Sequence, residues 1–178
     1  MRNNEVFGLL GRYIFLMIMG SFAFQLFYLV FSPLTIYPSF ALLKLFYSDA
    51  FVSTVNSIII HNQTITLVEA CIGGAAYFLL LLLNLGTPLS LETRLKSLGL
   101  LFISFLVINI LRIVVFSALY ISGFAFFNLA HLMVWYLGST VLVILLWFFN
   151  VWYFKIQNIP FYSDIIGLMH TMPKRHKL

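Results

Sequence analysis

Long apolar runs alternate with short polar breaks along the chain, and the run lengths predict its elements. A helix that crosses a bilayer needs about 20 mostly apolar residues. Tyr13–Phe31 is the first such run. Its apolar stretch is long, and Ser32-Pro33-Leu34 is a poor cleavage site, so it reads as a span rather than a cleaved signal peptide. Leu34–Tyr47 is apolar but short, flanked by Pro33 and interrupted by Pro38. It predicts an interfacial or re-entrant segment, with a tilted span joined to Ala50 and Phe51 as the alternative. Cys71–Leu85 is a very apolar helix core ended by Gly86 and Pro88. Ser97–Ile121 is a full span carrying Arg112, and Leu129–Phe149 is another, with His131 near its start.

One stretch has a different pattern. Val52–Val68 is rich in Val, Ile and Thr, and Thr64-Ile65-Thr66-Leu67 alternates polar with apolar. His61-Asn62-Gln63 forms a polar break in its middle. The pattern fits a short β-hairpin outside the bilayer, and an irregular loop equally well. No internal repeat, low-complexity tract or linker divides the chain. The fold class expected is an all-α polytopic membrane protein of about four transmembrane helices. A short extracellular re-entrant or interfacial helix and a small β-hairpin complete it. Residues 1–178 form one domain, with a core over about 52–149 and a basic tail over about 155–178. Pro160, Pro173 and Lys174-Arg175-His176-Lys177 make that tail read as loosely ordered, and His170 and His176 within it as surface residues.

Composition narrows the class further. The 178 residues are 62% hydrophobic, 18% aromatic and only 8% charged, with a mean hydropathy of +1.05. Ten Lys and Arg and five Asp and Glu cannot cover a soluble domain of this size. This excludes a cytosolic globular enzyme and a disordered chain. The pI near 9.5 does not indicate a nucleic-acid binder, because the basic residues sit between apolar runs rather than on one patch. The single cysteine, Cys71, rules out an intramolecular disulfide and a multi-cysteine metal site.

The basic residues also set an orientation. With the N-terminus in the cytoplasm, Arg2, Arg12, Arg94, Lys96, Lys155, Lys174, Arg175 and Lys177 all fall on the cytoplasmic side. Lys44 alone is left outside, and Arg112 lies within the membrane. The expected topology is a multi-pass protein of the cell membrane with both termini on the cytoplasmic side. Leu34–Tyr47 does not cross in this arrangement, since crossing would move the hairpin inside and spoil the basic bias.

This topology brings three residues to one depth near the outer leaflet. Cys71 starts the second span at its outer end. Arg112 lies about 10–14 Å below the outer end of the third, and His131 is within the first turn or so of the fourth. Each suits acyl transfer. A thiolate is the nucleophilic form of cysteine, favoured by a helix N-terminus and by a nearby cation. A neutral imidazole accepts a proton near pH 7. A guanidinium holds an oxyanion, a scissile carbonyl or the thiolate itself. Plainer readings stand beside these: an inert buried thiol, a polar contact between helices for His131, and a structural pairing of Arg112 with Glu69 or a backbone carbonyl. An ionisable group within a span is costly and defaults to a functional hypothesis.

Lesser candidates surround the three. Glu69 adjoins the cysteine and is placed to orient His131 or pair with Arg112. Asn109 shares a helix face with Arg112 and is placed to orient it or a substrate carbonyl. Gly73, Gly74, Ala75 and Ala76 leave room for a substrate chain or for close helix packing. His61 is a rival base, more simply read as a solvated loop residue. Asn62-Gln63-Thr64 matches a glycosylation sequon but sits in a tight turn. Tyr37, Tyr47, Tyr120 and Trp135 are candidate groove residues, or interfacial anchors.

Glu69-Ala70-Cys71-Ile72-Gly73-Gly74 resembles the cysteine motif of the exosortase/archaeosortase family of membrane transpeptidases. Asn109-Ile110-Leu111-Arg112 resembles its Asn-x-x-Arg motif, and His131 with Gly138 its histidine motif. The order Cys, Arg, His on successive membrane helices also matches, over roughly Val52–Phe149. Ile72 departs from the Ser or Thr usual after the cysteine. The chain is shorter than typical exosortases and is more similar to a compact archaeal member. The resemblance implies a membrane-embedded thiol protease and transpeptidase acting in protein sorting. Its substrates would be secreted surface proteins with a C-terminal tail of short motif, hydrophobic helix and basic residues. Cys71 would form a thioester, His131 would serve as general acid/base, and Arg112 would stabilise substrate or oxyanion. A lipid head group or other acceptor would resolve the thioester. The hairpin and Leu34–Tyr47 are placed to cover the site. Expected partners are membrane-anchored substrate proteins and membrane lipids, with no nucleic acid, cofactor or metal. The alternatives are a non-catalytic membrane binding or assembly subunit, or a small transporter component, although no repeated halves support the latter.

Overall fold

A computed structural model describes residues 3–54 and 56–156. Helix α1 runs unbroken over Asn3–Phe46, 44 residues. Strands β1 (Phe51–Thr54), β2 (Ser57–Ile60) and β3 (Gln63–Thr66) follow, then helices α2 (Glu69–Ile72), α3 (Gly74–Gly86) and α4 (Leu91–Ile121). The described residues end with α5 (Phe127–Met133), a π-helical turn (Val134–Gly138) and α6 (Ser139–Tyr153). The fold is mostly helical. Among the described residues, three helical segments are long and apolar enough to cross a membrane: Gln25–Phe46, Leu91–Ile121 and Phe127–Tyr153. The fourth apolar helix, Gly74–Gly86, has 13 residues, about 20 Å at the usual rise and less than a bilayer core. Expectations for the basic tail beyond residue 156 lie outside the described residues.

The expected break at Leu34–Tyr47 is absent. Both Pro33 and Pro38 lie inside α1. A proline removes one helical hydrogen bond and crowds the preceding turn. Here both rings sit on the exposed face, while Phe31, Thr35, Ile36, Ser39 and Leu43 form a continuous buried stripe. Packing along that stripe holds the helix through the defects, so the segment is neither re-entrant nor separate.

The expected hairpin is present, with one strand more. β2 and β3 pair antiparallel from Ser57↔Thr66 to Ile60↔Gln63, and β1 adds to the other edge of β2. His61 and Asn62 form the two-residue β2–β3 loop with φ of 50° and 61°. Two positive φ values are the mark of the turn whose twist matches the strands, and Asn tolerates them well. Ile58 and Ile60 are fully buried on one face, so a one-residue slip would expose both.

An aromatic knot ties α1, α3 and α4 together. The Tyr77 ring stacks on Phe31 with centroids 3.7 Å apart, and meets Phe105 and Phe102 edge-on at 4.7 and 5.5 Å. Each such pair contributes roughly 0.5–1.5 kcal/mol beyond burial itself. A second tie is polar and joins α3, α4 and α6. Asn84 Nδ2 donates to Ser97 Oγ at 2.7 Å, and Ser97 Oγ donates to Asn150 Oδ1 at 3.0 Å. Arg94 closes the α3–α4 loop by donating to the carbonyls of Asn84 and Thr87. Ser90 caps α4 by accepting from the Thr93 amide. These ties fix α3 against α4, which carries the site residues along its other half.

Candidate active site

The local break at Gly73 creates the site. α2 is a single turn of four residues, and Gly73 beyond it adopts φ +79°. A Cβ there would lie 2.9 Å from the Phe105 ring, so close approach and backbone conformation both demand glycine. The expected helix over Cys71–Leu85 is therefore two pieces. Cys71 sits on the short one, and the helix end behind its thiol is one turn rather than a full span. The helix-dipole contribution expected at Cys71 shrinks accordingly.

Breaking the helix strands carbonyls. The Ala76 and Tyr77 amides turn back to Gly73 O. α4 supplies the missing donors: Asn109 Nδ2 reaches Cys71 O at 2.9 Å and Ile72 O at 3.2 Å. Asn109 is buried to 1% exposure, where unmade hydrogen bonds are costly. Arg112, one turn further along α4, donates from Nη2 to the same Cys71 carbonyl at 3.4 Å. Its Nη1 donates to Ser139 Oγ at 2.9 Å. Thus the Asn-x-x-Arg spacing clamps the backbone of the cysteine turn. The guanidinium lies within Coulombic range of the Cys71 thiol.

His131 arrives from α5. Its ring stacks on Phe127 with centroids 5.5 Å apart and an 8° tilt, with Trp135 on the far side at 6.5 Å. Phe116 of α4 meets it edge-on at 5.5 Å. No hydrogen bond or ion pair from a described residue occupies its nitrogens. Stacking between residues one turn before and after fixes the ring plane, while both nitrogens stay available.

Cys71, Arg112 and His131 line one cavity of about 330 Å³, together with Phe116, Tyr120, Phe127 and Trp135. Thr64, Ile65, Thr66 and Leu67, at the end of β3, form one wall. A second cavity, of about 620 Å³, lies beside Tyr28, Glu69, Gly73, Gly74, Ala75, Ala76 and Ser139. Val68, Ala70, Arg112 and Trp135 border both.

The outcome for each expected residue is therefore mixed. Cys71, Arg112 and His131 come together. Asn109 serves the cysteine backbone. Glu69 is exposed, lines only the second cavity, and makes no ion pair with Arg112 or His131 among the described residues. Tyr120 and Trp135 line the first cavity, whereas Tyr37 is exposed and Tyr47 packs edge-on against His61 at 5.6 Å. His61 belongs to the turn: its amide donates to Asp49 Oδ2 at 2.7 Å, and its Nε2 lies 3.4 Å from Oδ1. Of the two segments expected to cover the site, Leu34–Tyr47 borders neither cavity, whereas β3 and the residues that follow it line the first. Among the described residues, no group of three His, Cys, Asp or Glu gathers to hold a metal ion. Ser139, which holds Arg112 Nη1, is a further residue of the site, and its only sequence signal is a hydroxyl in an apolar helix.

Comparison with known proteins finds no matching family model, no matching curated protein and no matching solved structure.

Proposed function

We propose that the protein is an integral-membrane cysteine protease and transpeptidase that cleaves membrane-anchored proteins near a C-terminal hydrophobic tail. The observation that carries this reading is the shared cavity of Cys71, Arg112 and His131. The three residues reach it from α2, α4 and α5.

In this mechanism the Cys71 thiolate attacks the scissile carbonyl, and the free donors of Arg112 stabilise the oxyanion. The C–N bond breaks, protonated His131 gives its proton to the leaving amine, and a thioester remains on Cys71. An amine or water then attacks the thioester, giving up a proton to neutral His131. The thiolate is released as the new amide or acid forms. The hydrophobic tail of the substrate lies alongside the spanning helices, which brings its cleavage point to the level of the cavity. Lipid or another amine-bearing acceptor at the same surface would take the product.

The arrangement is read with the N-terminus in the cytoplasm and the sheet outside. Arg94 and Lys96 lie near the start of α4, and the sheet wall meets its far half. The positive-inside rule then puts the cavity on the outer side.

One observation favours a non-catalytic subunit: Arg112 already spends donors on Ser139 and Cys71 O. A guanidinium has five N–H donors, so these contacts leave others for a ligand. Co-expression with a tailed membrane protein, followed by mass spectrometry of that protein, separates the readings. Wild type should shorten it and Cys71→Ala should leave it intact. Equal processing by both would defeat the thioester mechanism.

A further inference from the structure

We infer that Ser139 is a positioning residue for Arg112, and that the π-helical turn before it exists to place its hydroxyl there. The inference rests on the proposed role of Arg112 beside Cys71.

The geometry begins with the turn. Val134–Gly138 is π-helical, and the Ser139 amide closes it onto Val134 O. A π turn accommodates one extra residue and is frequently found at functional sites. The eight-residue step from His131 to Ser139 would, in ideal α-helix, leave their side chains about 80° apart. One residue taken up in the wider turn removes about 100°, which brings the two to within about 20° of one face. The turn thus aims an imidazole and a hydroxyl at the same side of one helix.

The hydroxyl then both donates and accepts. Ser139 Oγ accepts from Arg112 Nη1 at 2.9 Å and lies 3.4 Å from Val134 O as donor. Donating into the turn orients its lone pairs toward the guanidinium. Arg112 has two anchors, one on each terminal nitrogen: Ser139 Oγ and Cys71 O. Without the first, a long side chain with several rotatable bonds keeps only a 3.4 Å contact, at the edge of hydrogen-bond range. Ser139 itself borders the second cavity and not the one holding the thiol, so it acts through Arg112.

The full chain offers a direct readout, because Cys71 is its only thiol. Alkylation by iodoacetamide, followed by mass spectrometry across a pH series in lipid vesicles, reports the thiolate fraction at that one atom. Glu69, Arg112, His131, Tyr28 and Tyr120 are the titratable groups that border the two cavities, and all remain in place in every Ser139 variant. Arg112→Ala should lower the rate at pH 7 about tenfold, since removing a cation from beside a thiolate leaves less of the nucleophilic form. Ser139→Ala should lower it about threefold, with the rise in the pH profile moved to higher pH. Ser139→Thr keeps the hydroxyl and should restore the profile. A Ser139→Ala profile that overlays wild type while Arg112→Ala shifts would overturn this inference alone. Equal losses in Ser139→Ala and Ser139→Thr would overturn it too, by showing a packing effect. An unshifted Arg112→Ala profile would remove its premise, and intact substrate processing in that variant would remove the proposed role of Arg112 as well.

Discussion

Asn109 on α4 holds the carbonyl of Cys71 at 2.9 Å, at the point where the cysteine's own helix has stopped supplying a partner. The same amide nitrogen reaches Ile72 O at 3.2 Å. One buried side chain therefore substitutes for the hydrogen bonds that the break at Gly73 removes. Cys71 is set on a turn whose backbone is fixed from outside rather than by its own helix.

Asn109→Leu fills the same space without the donor. It should destabilise the protein by about 1–3 kcal/mol, the usual cost of orphaning buried carbonyls. It should also slow Cys71 alkylation, since the turn loses its main anchor. Unfolding in detergent and the alkylation rate check the two effects. An unchanged midpoint with unchanged labelling would show that the clamp is dispensable.

Gly73→Ala meets two penalties at once. Its φ of +79° is left-handed, and the new methyl would press on the Phe105 ring. Left-handed backbone costs about 1–2 kcal/mol for an ordinary residue, and the clash adds to it. Gly138→Ala is the control. Its φ is ordinary, and the Val134 side chain that a Cβ would meet at 3.2 Å can yield by a rotamer change. The first variant should lose markedly more thermal stability than the second.

Tyr77→Phe runs in the opposite direction. The Tyr77 hydroxyl is buried without a hydrogen-bond partner among the described residues, while its ring stacks on Phe31. Removing the oxygen keeps the stack and removes an unsatisfied polar atom. The variant should match wild type or exceed it by about 1 kcal/mol. A loss larger than that would reveal a partner for the hydroxyl.

Orientation is tested by placing single cysteines in a Cys71→Ala background. Gln63→Cys, on the exposed edge strand, should react with a membrane-impermeant maleimide added to intact cells. Lys96→Cys, near the start of α4, should react only after the cells are opened. The reverse pattern would invert the topology and move the cavity to the cytoplasmic side.

The β2–β3 turn was legible because its cause is local. His61-Asn62 interrupts two apolar runs, and both residues take the positive φ that such a turn needs. The helix through Pro33 and Pro38 was not, because the deciding factor is which face the prolines occupy. That depends on the stripe from Phe31 to Leu43 finding partners on other elements. Gly73-Gly74 read as room for packing. Its role as a break emerges only once Phe105 is placed against it. Cys71, Arg112 and His131 were legible as a set that meets at one cavity, since rare polar groups stand out in apolar helices. Arg112's contact with Ser139 was not, because a π turn changes the register between residues without marking the sequence.

The same turn gives chain length a chemical meaning. Deleting one residue between Val134 and Gly138 would let the segment relax to α-helix. Everything before it would then rotate by about 100° relative to α6. The imidazole of His131 would swing off the cavity wall with every side chain around it unchanged in type. Between His131 and Ser139 the number of residues therefore matters as much as their identity. A single deletion there would undo the register that a substitution sparing His131, Trp135 and Ser139 leaves intact.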